Sequence, residues 1–574
     1  CITIINLMKL SIQKNYIFMI FTFTLLITSS FVFSASSATI VNEDNQKLAP
    51  NALNDLVVAT RHDSTIYLKY AEYFAQSALG ASVGITSANQ ISFVAPTTYA
   101  AFETAMTNPA IGASVAWGGG PTLFNNLVAA DHLRSINDTS LLNWISANVS
   151  DTIAGAEMKK YDESNNLKWV AAAISSFGFT VNNNTLESRN LPFPTTWEDL
   201  ASPEFFTTAA QNNIAMGNAP DTTSNTRIYQ IILQKFGWER GWEIIYSMAG
   251  NSQIYGGSVE TRAAVERGDV AVSMTIDFYG VIAMNENPDC QYVIPEGSSI
   301  VNGDPIAISK NAPNLDAARA FTKFVLSAEG QALWLDNRIN RLPVRSDAFD
   351  AARTLVGDDA YIVDSQVDLV ESLYTKTLEN EGITFDEDLS LSLEEAMRYH
   401  FEATITNVHT TLRDSWSEIA LNYQGGAFDP APDQRLDQLL EIYGVPAITL
   451  TKAQEINQQM ISDSTFRQEQ QSAWESYSID KYNDAKEAVD DPFTYTTETV
   501  ETSETTITTT DSEGNTVTTT SEVEVTSQVT EQTSASAVES SVEDVPFNIS
   551  WLLIGLATPL LLNRLNIKKK ADIF

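Results

Sequence analysis

Cysteine is nearly absent from this 574-residue sequence, which contains two, Cys1 and Cys290. Cys1 precedes Met8, the first methionine, and we expect residues 1–7 to lie upstream of the true start. Cys290 is then the one cysteine of the mature chain, which excludes an intrachain disulfide and a cysteine-based metal site. We interpret Cys290 as a small, half-buried side chain and not as a reactive thiol.

Basic residues are also scarce, because 34 Lys and Arg stand against 72 Asp and Glu and give a net charge of −38. A surface of this sign repels a phosphate backbone, so the composition argues against nucleic acid as a partner. Hydrophobic residues make up 44% of the chain, and its length suits two or more packed units.

The amino-terminal residues have the composition of a secretory signal peptide, which we place at residues 8–38. Lys9 and Lys14 supply positive charge, residues 16–27 are largely apolar, and the small residues 34–38 suit cleavage. A retained membrane anchor is the alternative. Either interpretation places the rest of the chain outside the cytoplasm.

Three consecutive segments near the carboxyl end predict a membrane tether. Residues 490–544 are rich in Thr, Ser and Glu and contain no Lys or Arg, so we predict a disordered, extended stalk. The Thr-Val alternation within it would permit a strand, which we consider the weaker interpretation. Residues 545–563 are mostly apolar and predict one transmembrane helix, with Trp551 at an interface. Residues 564–574 are basic and are expected in the cytoplasm, which anchors the protein at the cell surface.

The body of the chain alternates short apolar runs with amphipathic ones over residues 53–345. Residues 56–59 predict a buried strand, and residues 170–181 predict one long strand or a strand pair. Strands that alternate with helices indicate an α/β fold with parallel sheets. Residues 351–480 show long charged amphipathic patterns instead and predict a helical extension packed on the body or on a membrane-side partner.

Polar loops after predicted strands are the candidate ligand-binding segments, because ligands of open α/β sheets bind at the carboxyl ends of the strands. Glycines there let backbone N–H groups approach a ligand, and hydroxyls at a helix N-terminus hold anions. Each candidate has a structural alternative: a tight turn for the glycines, an N-cap for Ser224 or Asn225, a surface pair for His62 with Asp63, and a core position for Tyr279. The candidates are Thr60, Arg61, His62, Gly118, Gly119, Gly120, Ser224, Asn225, Thr226, Tyr255, Asp277 and Tyr279. Residues 302–304 and Arg341 could also face the ligand cleft, but we favour a structural turn for Asp304 and a surface salt bridge for Arg341.

Several segments resemble, in order and spacing, the extracellular solute-binding proteins of ABC transporters, of the ferric-iron-binding type. They include VAWGGGPTLFNNLVA, IAMGNAPDTTSNTRIYQ and AARAFTKFVLSAEGQALW, and the resemblance covers residues 53–349. It implies the two-lobed periplasmic-binding-protein type II fold, closing on its ligand like a hinge. Lobe 1 would hold residues 53–170 and 295–349, and lobe 2 residues 171–294.

The resemblance also implies function. It implies a small solute as ligand and an ABC permease with its ATPase as partners. No nucleophile–base pair and no phosphate-binding loop signature accompanies it, so we expect neither an enzyme nor a cofactor. A non-transport surface protein, an adhesin or a sensor, that reuses the fold is the alternative, and the helical extension motivates it.

Differences from the ligand residues of the iron-binding members limit the classes of ligand that this sequence predicts. Iron-binding members use a histidine, an acidic residue and adjacent tyrosines; here His62 and Tyr279 match, but glycines replace the acid and Phe278 replaces one tyrosine. Two protein donors are too few for a bare ferric ion. The sequence therefore favours a small organic anion, such as a phosphonate, a phosphorylated compound or a carboxylate. The alternative is a chelated ferric ion held by His62 and Tyr279.

Overall fold

The computed structural model describes residues 56–96, 99–380, 382–510 and 516–532, with side chains described except between residues 497 and 529. The predicted signal peptide, transmembrane helix and basic tail lie outside these residues. Within them, no helix is both long enough and apolar enough to cross a bilayer.

Strands and helices alternate in the first part of the chain, as the apolar runs predict. The strands are β1 (Leu56–Thr60), β2 (Ile91–Val94), β3 (Val115–Trp117), β4 (Thr152–Ile153), β5 (Ala156–Glu157), β6 (Lys159–Tyr161), β7 (Leu167–Asn182), β8 (Ile214–Gly217), β9 (Ser252–Tyr255), β10 (Val272–Ile276), β11 (Cys290–Val293), β12 (Val301–Ile308), β13 (Thr494–Thr510) and β14 (Thr516–Gln532).

Helices fill the connections of the first part and form nearly all the described chain between β12 and β13. They are α1 (Ser64–Gln76), α2 (Ala78–Ser82), α3 (Tyr99–Thr107), α4 (Gly120–Ala129), α5 (Thr139–Asn148), α6 (Asn183–Ser188), α7 (Trp197–Ala201), α8 (Thr223–Phe236), α9 (Trp238–Gly250), α10 (Ser258–Glu266), α11 (Asp277–Glu286), α12 (Leu315–Leu326), α13 (Ala328–Ala332), α14 (Asp347–Leu355), α15 (Asp364–Glu379), α16 (Glu387–Phe401), α17 (His409–Gln424), α18 (Pro432–Tyr443), α19 (Leu450–Ser462) and α20 (Ser464–Ala488).

The chain divides into two compact units. Unit 1 is Cys1–Gly118, Ala129–Ser135 and Ala307–Thr322, and unit 2 is Gly119–Val128, Ile136–Ile306 and Lys323–Phe574. The lobe boundaries expected from the resemblance stay a prediction.

Unit 1 is built on a small parallel sheet. Strand β1 pairs in parallel with β2 on one side and with β3 on the other. Helix α1 covers it with Tyr70 and Phe74, which are fully buried. The Trp117 ring contacts the Tyr70 ring at 4.8 Å and the Phe321 ring at 5.7 Å between centroids. This aromatic packing sets the position of the loops that leave β1 and β3.

Unit 2 is built around β7, whose 16 residues are all buried. Strand β7 is antiparallel to β10, β11 and β6, whereas β10, β8 and β9 are parallel to one another. The expectation of purely parallel sheets is therefore wrong, and the sheet is mixed. An uninterrupted apolar run indicates burial on both faces of a strand but does not indicate the direction of its neighbours.

Cys290 begins β11 and is a free, buried thiol. Burial raises the pKa of this thiol to about 11. It stays protonated at neutral pH and is more buried than expected.

The helical extension, which belongs to unit 2, shares one hydrophobic core with the earlier helices and strands of that unit. Helices α8 and α9 contribute to the same cluster of buried residues as α16 to α20. The Tyr229 ring stacks on the Phe401 ring at 4.5 Å between centroids. The Trp416 ring fills the space beside Gly250, where an added Cβ would lie 2.3 Å from Trp416 Cγ. Of the two packing arrangements considered for the extension, the structure therefore shows packing on the body.

Part of the predicted stalk forms a hairpin. Strands β13 and β14 pair antiparallel, with Thr494 opposite Gln532 and Thr510 opposite Thr516. The prediction of disorder is corrected for these residues. Thr, Val and Ile dominate the two segments, and β-branched side chains favour extended backbone. The prediction of disorder was based on the low hydrophobicity and the charge of the same segments.

Candidate functional site

The loop after β1 in unit 1 is held by local hydrogen bonds. The His62 backbone N–H donates to Thr60 Oγ1 at 3.1 Å, and the Arg61 backbone N–H donates to the Trp117 carbonyl at 3.3 Å. Asp63 caps helix α1, because its Oδ1 accepts the Thr65 N–H at 2.9 Å. Asp63 therefore serves the helix, and its predicted surface pair with His62 is not what positions the loop.

His62 is buried beside Gly118 within unit 1. Its ring lies edge-on to the Trp117 ring at 4.5 Å between centroids. Gly118 has φ +75°, and a Cβ there would lie 2.5 Å from His62 Nε2. Only glycine fits this position, on both backbone and steric grounds. The structure thus brings Thr60, His62 and Gly118 together.

In unit 2, the Gly119 and Gly120 amides bind an anion that belongs to the chain itself. Both backbone N–H groups donate to Asp304 Oδ1, at 2.9 and 3.1 Å. Asp304 Oδ2 accepts from Arg341 Nη1 at 2.8 Å, and the two side chains are 10% and 15% exposed. The interpretation of Asp304 as a turn residue and of Arg341 as a surface pair is wrong, since Asp304 lies in β12 and the pair is largely buried.

Asp277, at the start of α11, ties that helix to β7. Its Oδ2 accepts the Ser176 N–H at 2.6 Å, and its Oδ1 accepts the Phe278 N–H at 2.7 Å. Burial raises the pKa of Asp277 to about 7, against the lowering effect of these hydrogen bonds and of the Arg341 charge. The carboxyl is buried and bonded to the protein, which is a structural use of a predicted ligand residue.

Phe278 and Tyr279 follow Asp277 and pack on each other at 4.4 Å between ring centroids. The Arg341 guanidinium lies 4.5 Å from the Phe278 ring centre, and the Arg262 guanidinium lies 5.9 Å from that of Tyr279. Phe278, which stands where the resemblance to iron-binding proteins implies a tyrosine, thus makes a cation–π contact with Arg341.

The loop between β8 and α8 uses most of its polar groups internally. Asn225 is fully buried, and its Oδ1 accepts the Gly217 N–H at 2.8 Å. Thr226 Oγ1 donates to the Thr222 carbonyl at 2.6 Å. Asn225 and Thr226 therefore shape the loop, and Ser224 is the predicted residue of this loop that remains available at the sheet edge.

Ser224 and Ser258 meet at the carboxyl ends of β8 and β9. Their hydroxyl oxygens lie 2.9 Å apart, in the first turns of α8 and α10. Among the described residues, the N-cap positions Thr222 and Gly257 give these helices no side-chain hydrogen bond. The first turns of α8 and α10 thus meet at these two hydroxyls, and a helix N-terminus carries N–H groups without intrahelical partners and a partial positive charge.

Tyr255 ends β9 at the same edge and is half-buried. Burial, with a smaller contribution from Asp269, raises the pKa of its phenol, so the group is a neutral hydrogen-bond donor at neutral pH. A Cβ on Gly256 would meet no described atom within 4 Å, so the backbone beside Tyr255 borders open space.

Two further observations delimit the site. In the described part of the chain, no group of three or more His, Cys, Asp and Glu side chains is arranged to hold a metal ion. The use of His62 and Tyr279 for iron therefore stays a prediction. A small pocket in unit 2 is lined by Ser176, Ser299 and Thr377, among others, and by none of the predicted ligand residues.

Sequence comparison identifies a related curated protein, the phosphoglycerate transport regulatory protein PgtC of Salmonella typhimurium. It is 28% identical over 204 residues, which are 35% of this chain and 50% of that protein. The protein of the same name from Salmonella typhi matches to the same extent. This chain thus spans about half the length of the curated relatives it matches.

Structural comparison finds similar folds. An ABC transporter protein from Clostridium perfringens is 18% identical with a TM-score of 0.43, covering 60% of this chain and 98% of that one. The periplasmic binding protein AfuA from Actinobacillus pleuropneumoniae is 18% identical with a TM-score of 0.41, covering 57% and 98%.

A comparison with family profiles gives a sequence match longer than the 204 residues shared with the Salmonella protein. Residues 123–362 match the profile of the family described as bacterial extracellular solute-binding protein. This segment contains most of unit 2's strands and the loops at the carboxyl ends of β8, β9 and β10. Residues 123–362 of this chain are thus similar in sequence to the bacterial extracellular solute-binding proteins.

Proposed function

We propose that this chain is the solute-binding component of an ABC importer and that it binds a small organic phosphate at the carboxyl ends of β8 and β9. The family match supports a binding role, and the name of the Salmonella relative supports a phosphorylated three-carbon acid. The observation that carries the proposal is the meeting of two helix N-termini at Ser224 and Ser258.

The groups at this edge are mostly hydrogen-bond donors. First-turn N–H groups, two serine hydroxyls and the Tyr255 phenol suit phosphate oxygens, and both helix dipoles favour negative charge there. Glu260, in the first turn of α10, is an exposed carboxylate whose negative charge partly cancels the positive potential of the helix N-terminus. Since the whole chain is strongly acidic, recognition of an anion depends on these local groups.

A second candidate function is extracytoplasmic sensing of the same solute, which the word "regulatory" in the relative's name favours. In both cases the ligand is captured by hinge closure. A transport protein delivers it to a permease, and the loaded protein stimulates the ATPase of that permease. A sensor leaves that ATPase unchanged, so the ATPase rate separates the two functions.

We include the membrane tether in the proposal, supported by the apolar residues 545–563 and the basic residues 564–574. The full chain is expected to stay with membranes after alkaline carbonate washing, because a spanning helix is held by hydrophobic burial. A chain that ends at residue 544 is expected in the supernatant. Release of the full chain by the same wash would contradict the tether.

Ligand binding is expected to raise the melting temperature of the full chain. Because the ligand binds the folded state, 3-phosphoglycerate at 100 times its Kd should add about 2.7 kcal/mol to the free energy of unfolding. Glycerate, which lacks the phosphate, should add much less, and ferric citrate tests the iron alternative. Differential scanning fluorimetry measures each shift.

Matched serine variants locate the effect. Ser224→Ala with Ser258→Ala removes two hydroxyls from the proposed site, and each hydrogen bond to a charged group contributes about 1.5–3 kcal/mol. The loss of both should cost about 3 kcal/mol or more, so affinity should fall at least about a hundredfold. Ser82→Ala, at an exposed helix end in unit 1, is the control and should leave affinity unchanged. No shift with any organic anion, or equal losses in both variants, would contradict the proposed site.

A further inference from the structure

Arg227 follows Ser224 of the proposed solute site by three residues on helix α8 and is already paired. It is in the second turn of α8 and 7% exposed. Its Nη2 donates to Thr122 Oγ1 at 2.7 Å, and its Nη1 donates to Glu387 Oε2 at 3.1 Å. Its guanidinium also lies 4.7 Å from the centre of the Phe385 ring. Two of these three partners, Phe385 and Glu387, belong to the helical extension and lie at or just before the start of α16.

Glu387 thus places a carboxylate on an arginine that lies about one helical turn after Ser224. It is the first residue of α16, and its side chain is 26% exposed. Arginine binds carboxylate and phosphate by the same donor geometry. A solute anion that binds Arg227 must therefore first take the place of Glu387.

The extension also contacts the loop between β8 and α8. Arg398 Nη2 donates to the Pro220 carbonyl at 2.6 Å, and Thr406 Oγ1 donates to Asn218 Oδ1 at 2.8 Å. Asn218 Nδ2 in turn donates to Glu402 Oε1 at 3.3 Å. The extension therefore touches this loop at Asn218 and Pro220, and it touches the following helix α8 at Arg227.

We propose that Glu387 is an internal competitor for the solute's anionic group and that the helical extension thereby lowers the affinity of the site for every anion that binds Arg227. This inference rests on the proposed function. A phosphate monoester carries a charge of about −1.5 to −2 near neutral pH, whereas Glu387 carries a single negative charge. A phosphoryl group therefore displaces Glu387 from Arg227, and a monocarboxylate, whose charge equals that of Glu387, competes poorly. Glu387 acts on the solute through Arg227 and sets the affinity of the site.

The test compares two glutamates of helix α16 in the full chain. Glu387→Gln removes the competing charge and keeps the size of the side chain. Glu394→Gln is the matched control, because Glu394 accepts from the neutral amide of Gln230, Nε2 to Oε2, at 3.1 Å. Isothermal titration calorimetry with 3-phosphoglycerate, glycerate and inorganic phosphate gives the affinities. Glu387→Asp, which keeps the charge and shortens the side chain, adds an intermediate case.

Glu387→Gln is expected to tighten binding of inorganic phosphate and 3-phosphoglycerate about tenfold, corresponding to loss of one competing ion pair. Glycerate should gain no more than this factor, because displacing Glu387 costs the same for every anion that reaches Arg227. Glu387→Asp should give a smaller change in the same direction, and Glu394→Gln none. A purely structural role for Glu387 would lower affinity and melting temperature together, and would not raise affinity.

The outcomes separate this inference from the proposed function. Tighter binding of inorganic phosphate by Glu387→Gln supports the inference even if neither protein binds 3-phosphoglycerate, a result that would remove the proposed solute. Unchanged or weaker binding of every anion by Glu387→Gln and Glu387→Asp overturns the inference, whether or not the unaltered protein binds 3-phosphoglycerate.

Discussion

Replacing Trp416 by alanine is expected to lower the free energy of unfolding by about 3–5 kcal/mol, because a large buried aromatic side chain would leave a cavity. Trp416 is fully buried and fills the space beside Gly250. Its Nε1–H donates to Asn251 Oδ1 at 2.7 Å, and Asn251 Nδ2 donates to the Leu200 carbonyl at 3.0 Å. The substitution thus removes packing and one end of a buried hydrogen-bond chain that joins the extension to the body.

Chemical denaturation measures this effect, with two comparison variants. Trp416→Phe keeps most of the ring and loses the hydrogen bond, so it should cost less than alanine. Leu421→Ala lies on the same helix at a side chain 47% exposed and should change stability by less than about 0.5 kcal/mol. Since the extension and unit 2 share one core, Trp416→Ala should destabilise both together. A separate early transition of the extension, with the main transition unchanged, would contradict the shared core.

Replacing Arg341 by methionine is expected to cost about 3 kcal/mol or more, because breaking a largely buried ion pair leaves the other charge poorly compensated. Asp304 would retain the Gly119 and Gly120 amides but lose its cation. The Arg341 charge also lowers the pKa of Asp277, so its removal should raise that pKa further above its ordinary value. The loss of stability should therefore grow with pH as Asp277 ionises.

A double-mutant cycle tests the pair. Adding Asp304→Asn to Arg341→Met removes the uncompensated charge and should restore part of the lost stability. Arg353→Met is the control, because Arg353 is 36% exposed in its pair with Asp368 at 2.7 Å and should cost less than about 1 kcal/mol. A cost for Arg341→Met no larger than that of the control would show that the buried pair contributes little.

Sequence patterns predicted local structure well where burial is continuous. The apolar residues of β1 and β7 indicated strands, and amphipathic spacing indicated the helices of residues 351–480. Strand direction was not encoded in these runs, and β7 proved antiparallel to its neighbours in unit 2. For β13 and β14, the preference of β-branched residues for extended backbone outweighed low hydrophobicity.

The site was predictable to the extent that its residues are adjacent in sequence. Ser224 and Tyr255 were identified from strand-to-helix positions, and they lie at the same sheet edge. Pairing over long separations was not visible. Gly119 and Gly120 were predicted to bring backbone N–H groups to a ligand, whereas in the structure these groups donate to Asp304, 185 positions from Gly119. The Arg227–Glu387 pair, 160 positions apart, was likewise hidden.

Hydrogen exchange of the full chain, with and without saturating 3-phosphoglycerate, tests most directly where the solute binds. Bound phosphate should slow exchange of first-turn amides at the starts of α8 and α10, since these N–H groups would donate to it. Helix α18, distant in sequence and part of the extension core, should be unchanged. Protection confined to other segments, or no protection at α8 and α10 under saturating ligand, would contradict the proposed site.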